Sequence, residues 1–100
     1  YLLHALAACL TTSLVYVTAA RGVHLTEVES TLEGDMDVQG ALGLSDDYRN
    51  GFEQIRVSFR VEGDAPEEKL REIVARAAQR SAVFDMVTNG VPVTVDVATA

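Results

Sequence analysis

Leu2-Leu3-His4-Ala5-Leu6-Ala7-Ala8-Cys9-Leu10-Thr11-Thr12-Ser13 stands at the head of the chain, and its reading decides the fold. The run holds no Asp, Glu, Lys or Arg, and its leucines recur at helical spacing. At about 100° per residue, Leu3, Leu6, Leu10, Leu14 and Val17 share one stripe, the face expected in the core. Cys9, the only cysteine, lies beside that stripe. Ala5, Thr12, Ser13 and Tyr16 fall within about 60° of it, forming a strip of small and polar side chains. His4 falls about 140° from Cys9, which excludes a Cys/His pair within the helix and leaves a histidine near a packed helix end. Gly22 supplies the expected C-terminal stop, with Arg21 placed for the helix dipole. No Ser, Thr, Asp or Asn precedes Leu2 as an N-cap. The helix is therefore expected to begin upstream of Tyr1, in a longer protein.

Beyond Gly22 the period changes from helical to alternating. From Val28 to Val38, Val28, Ser30, Leu32, Gly34, Met36 and Val38 face one way, while Glu27, Glu29, Thr31, Glu33, Asp35 and Asp37 face the other. This predicts a half-buried strand with an acidic outer face. A second strand, Phe52 to Glu62, buries Ile55, Val57, Phe59 and Val61 and shows Arg56 and Arg60, which are placed to pair with those carboxylates. Gly40 to Gly51 joins the two as a loop longer than a tight hairpin. Its Asp46 and Asp47 are read as turn residues, because the alternating oxygen ligands of a calcium loop are missing.

A second helix is expected to open at Asp64, with Glu67 as capping-box partner, Pro66 in the first turn, and Leu70, Ile73, Val74 and Ala77 as its apolar stripe. Ser81 caps a further short helix, Ala82 to Thr88, which Asn89-Gly90 ends. Val91 to Val97 alternates valines with Pro92, Thr94 and Asp96 and reads as a last, edge strand. The order is helix, strand, strand, helix, short helix, strand, without repeats or an interior linker. It defines one α+β domain over residues 1–100, a small antiparallel sheet covered by helices.

Composition bounds the function. A chain of 100 residues with 48% hydrophobic content and a net charge of -7 carries more apolar surface than one copy hides, so a partner chain is expected. The acidity argues against nucleic acid, whose affinity comes from clustered Lys and Arg. It also favours a neutral or hydrophobic substrate over an anionic one. A lone cysteine forms no intrachain disulfide, which points to a reducing, cytoplasmic compartment. Residues 2–20 reach the lower limit for a membrane span, and Val17-Thr18-Ala19 loosely resembles a signal-peptidase site. No basic region precedes them, and Thr11, Thr12, Ser13 and Thr18 dilute them, so no membrane association is expected. One Cys and two scattered His lack metal-ligand spacing, and neither a metal nor another cofactor is expected.

The run His4-Ala5-Leu6-Ala7-Ala8-Cys9-Leu10-Thr11, followed by Gly22, Val28-Glu29 and a closing Gly90-Val91-Pro92-Val93, resembles the family of osmotically inducible protein C (OsmC) and the organic hydroperoxide resistance proteins. The resemblance spans nearly the whole chain in the right order. It implies an intertwined homodimer, with the cysteine-bearing helices packed centrally and active sites at the interface. The family's amino-terminal strands, with the arginine and glutamate that help activate the thiol, would precede Tyr1. Carried over, Cys9 matches the peroxidatic cysteine, and Ser81, within Arg80-Ser81-Ala82-Val83-Phe84, stands where typical members carry a second cysteine.

The resemblance implies a thiolate that attacks a peroxide oxygen, releases an alcohol or water and becomes sulfenic acid. With serine at position 81 no disulfide follows, so an external thiol must reduce Cys9. Three readings result: a one-cysteine peroxidase for organic hydroperoxides, a non-cycling dimeric module that binds a small molecule or serves stress, and a hydrolase with Ser81 as nucleophile. The peroxidase reading needs a depressed Cys9 pKa. Nothing charged lies near Cys9 on its own helix, so the cause is expected in groups beyond this sequence. The hydrolase reading needs a base, and only His4 and His24 are candidates. For Ser81 itself, the helix cap is the leading expectation over a bond to Cys9.

Overall fold

The computed structural model describes residues 1–99. Its elements are α1 (Leu2–Ala20), β1 (Leu25–Met36), α2 (Val38–Ala41), β2 (Phe52–Gly63), α3 (Glu67–Arg80) and α4 (Ala82–Asn89). The α+β architecture is the expected one, a two-stranded antiparallel sheet with helices against it.

The leucine stripe of α1 is the core face: Leu6, Leu10 and Leu14 are buried, with Ile73 and Ala77 of α3. Val17, Val23, Leu25, Val28, Phe59, Val61 and Val74 close around Leu14, Ile73 and Ala77. Leu3 and Val17 are only half-buried, and the fourth buried position on α1 is Thr18. Its hydroxyl donates to the Leu14 and Val15 carbonyls, so a polar atom enters the core already satisfied. Gly22 ends α1 at φ 69. The Val23 N–H reaches the Thr18 carbonyl and the Gly22 N–H reaches Ala19, the paired bonds of a Schellman stop. Arg21 turns to Glu72 of α3 at 2.9 Å, tying the end of α1 to the start of α3.

In the hairpin, Glu29 faces Arg60 and Glu33 faces Arg56. Arg56 pairs with Asp35 at 2.7 Å and Glu33 at 3.4 Å, as the alternation predicts. Arg60 instead takes Glu62 of its own strand. β1 stops at Met36, short of the predicted Val38. Asp37 caps α2 by accepting the Gln39 N–H, a local bond that diverts the chain from the ladder. Gly40 is buried with its backbone against the Arg49 carbonyl, leaving no room for a Cβ. Asp46 and Asp47 lie in a turn, with the Asp47 N–H on Ser45.

Two expectations fail. Asp64 does not cap α3: the cap position is Pro66, and the Asp64 carboxylate accepts the His24 N–H at 2.8 Å, joining the turn after α1 to the end of β2. Val91 to Val97 forms no strand. Val93, Val95 and Val97 are each about four-fifths exposed. Alternation alone makes no strand where no neighbouring strand accepts its backbone bonds.

Candidate thiol site

α1 and α3 run antiparallel, as the Arg21–Glu72 pair at one end and the Cys9–Ser81 pair at the other require. Ser81 ends α3 and begins α4 in an extended conformation, φ -74 and ψ 124. The break brings its side chain inward, where it is 1% exposed. Its hydroxyl donates to Cys9 Sγ at 3.1 Å and accepts the Phe84 N–H at 3.2 Å. The two readings of Ser81 are therefore both met by one atom: it caps α4 and bonds the thiol.

That arrangement supplies what α1 lacks. The Cys9 pKa is lowered first by the Ser81 hydroxyl, then by the Val83 and Ala82 backbone N–H groups, against a raising effect of burial. These amides open α4, where backbone N–H groups are free and the helix dipole is positive. These groups lie within this sequence and carry no formal charge, whereas the activating residues that the resemblance implies precede Tyr1. The signal was present in the sequence: a serine N-cap before a short helix implies free amides, and the resemblance placed that serine at the thiol.

Neither histidine joins the site. His4 is exposed on α1, and His24 sits in the turn that Asp64 holds. The Ser81 hydroxyl is committed to sulfur and to α4, which leaves the hydrolase reading without a base.

From Thr12, about one turn beyond Cys9, a groove of about 570 Å³ runs between α1 and α3. Thr12, Ser13, Tyr16 and Val17 line one wall, Arg76 and Arg80 the other. Of the strip predicted next to Cys9, Thr12, Ser13 and Tyr16 lie in this wall and Ala5 does not.

The OsmC-like protein family model matches residues 1–96, and the chain belongs to that family. No curated protein sequence matches it. Among solved structures, the crystal structure of an OsmC-like protein from Mycoplasma pneumoniae superposes with a TM-score of 0.77 at 16% identity, covering 88% of this chain and 59% of that one. At that identity the likeness establishes the fold. The chain spans about three-fifths of that protein's length.

Proposed function

We propose that Cys9 is the peroxidatic residue of a one-cysteine thiol peroxidase acting on organic hydroperoxides. The observation that carries the reading is the Ser81 hydroxyl on Cys9 Sγ at 3.1 Å, with the thiol pKa lowered by that bond and by the Val83 and Ala82 amides at the start of α4. The thiolate attacks the distal peroxide oxygen, the O–O bond breaks, and the leaving alkoxide takes a proton to become the alcohol. Cys9 is left as sulfenic acid. An external thiol condenses with it, releasing water and forming a mixed disulfide, and a second thiol equivalent restores Cys9.

In this reading residues 1–100 are the carboxy-terminal portion of one OsmC-like domain, working as a homodimer in the reducing cytoplasm, off the membrane and without nucleic acid. The accessible area is 7517 Å², against about 5500 Å² for a compact monomer of this mass, an excess that a second copy or the family's upstream strands would cover. α1 is long and apolar enough to cross a membrane. Its Leu6, Leu10 and Leu14 are already buried in the fold, which favours the role of a core helix.

Rapid mixing with cumene hydroperoxide and with hydrogen peroxide, followed by trapping of sulfenic acid and using Cys9→Ser as blank, tests the proposal. Oxidation well above the free-cysteine rate, faster with the organic peroxide, is expected. A rate no higher than free cysteine overturns it and leaves a non-cycling binding module.

A further inference from the structure

The helix that opens at the thiol carries a negative charge of its own. α4 starts at Ser81, whose hydroxyl lies 3.1 Å from Cys9 Sγ and accepts the Phe84 N–H at 3.2 Å. Asp85 follows in the first turn, its N–H on the Ser81 carbonyl at 3.0 Å. A carboxylate there suits the helix dipole, yet it repels a thiolate held at the same helix end. The Cys9 pKa is nevertheless lowered by the Ser81 hydroxyl and the Val83 and Ala82 amides, with no charged side chain among the causes.

The hydrogen bonds of α4 explain how the charge stays off the sulfur. Helical side chains lean toward the amino terminus, so an unrestrained Asp85 carboxylate swings toward the free amides of the first turn. Here Asn89 Nδ2 donates to Asp85 Oδ1 at 2.8 Å and ties the carboxylate to the last turn instead. Asp85 has no other side-chain partner among the described residues. Of the ionisable groups on the elements around Cys9, α1 brings His4 and Tyr16, and the end of α3 brings Arg76 and Arg80. Asp85 is the only carboxylate from Ile73 to Asn89.

We propose that Asn89 is a positioning residue of the thiol site: by holding the Asp85 carboxylate at the last turn of α4, it keeps a negative charge away from the helix start that meets Cys9. The proposal rests on the reading of Cys9 as a reactive thiol, and it concerns that thiol before any peroxide arrives. The same bond is also an i,i+4 contact that steadies a helix. The two roles separate, because only the electrostatic one needs the charge of Asp85.

The pH dependence of Cys9 alkylation by iodoacetamide, measured on the whole chain, tests it without peroxide. Asn89→Ala should raise the midpoint by about 0.3 pH unit, the effect of one charge brought to roughly 10 Å through solvent, and added salt should shrink the rise. Asn89→Gln, which keeps the amide donor, should raise it by less than half as much. Asp85→Asn should not raise the midpoint, and Asn89→Ala should have no effect in that background; circular dichroism verifies the fold of each. An unmoved midpoint in Asn89→Ala, or a rise that persists in Asp85→Asn/Asn89→Ala, would overturn the proposal. Failure of the peroxidase reading shows elsewhere, in sulfenic acid formation no faster than free cysteine, and leaves these midpoints as they are.

Discussion

The two ends of the molecule carry hydrophobic patterns of equal clarity and meet different fates. Where α1, α3 and α4 join, Leu6, Leu10, Leu14, Ile73, Ala77 and Ser81 are all buried. Along the distal half of the hairpin, Leu32, Gly34, Val57, Ile55 and, past an irregularity in register, Phe52 share one face, yet stay only half-buried. The helices cover the ribbon near Leu25, Val28, Phe59 and Val61 and no further. A periodic pattern states which face seeks cover, and a second element must supply it. The Cα radius of gyration, 17.4 Å, exceeds the roughly 13 Å of a compact chain this long.

Truncation on each side is the strongest way to break this contrast. Ile73→Ala should cost about 2–5 kcal/mol in denaturant melts, the range for a fully buried aliphatic residue. Leu32→Ala should cost less than half of that. Equal losses, with the Leu32 effect dependent on protein concentration, would mean that a second copy covers the ribbon and would erase the contrast in the assembled protein.

A smaller effect is expected at the junction's polar centre. Ser81→Ala removes the cap of α4, costing about 1 kcal/mol, and deletes the principal donor to Cys9. The sign of its pH effect follows from the lowered folded-state pKa. The folded protein favours the thiolate, so this contribution to stability is full above the unfolded thiol pKa and is lost as pH falls through the folded value. The alkylation midpoint of wild-type Cys9 should therefore lie below the ordinary thiol range of about 8.5 and move upward in Ser81→Ala. An unmoved midpoint would assign the lowering to the α4 amides alone.

The smallest effect belongs to the outer face of the hairpin. Arg56 holds the Asp35 carboxyl below its usual pKa through a direct hydrogen bond and its charge. Both side chains are exposed, and solvent screens such pairs. Arg56→Gln should shift the melt barely beyond its error, and any shift should fade with added salt or with acidification through the carboxylate range. A large, salt-resistant loss would show that the ribbon's outer face is covered.

Much of the site was legible because its rules are local. Cys9 beside the leucine stripe follows from 3.6 residues per turn, and Ser81 as the cap of a short helix follows from the free amides of a first turn. The failures involve partners distant in sequence. Asp64 had a suitable spacing to Glu67, but the His24 amide, 40 residues away, took its carboxylate. Val91 to Val97 had the alternation of a strand and no edge to join. The groove was invisible because Arg76 and Arg80 look like an ordinary solvated helix face until α1 lies opposite them.

By itself, the sequence determined the kinds and order of most elements, the core stripe of α1, and the two residues at the centre of the candidate site. These depend on backbone periodicity and side-chain chemistry that act within a few residues. Only tertiary structure decided that Ser81 bonds Cys9, that this bond and the first amides of α4 act together to lower the thiol pKa, and that a groove opens between α1 and α3. Those outcomes require helices brought together from opposite ends of the chain, because hydrogen bonds and local fields act over a few ångströms of space, whatever the separation in sequence.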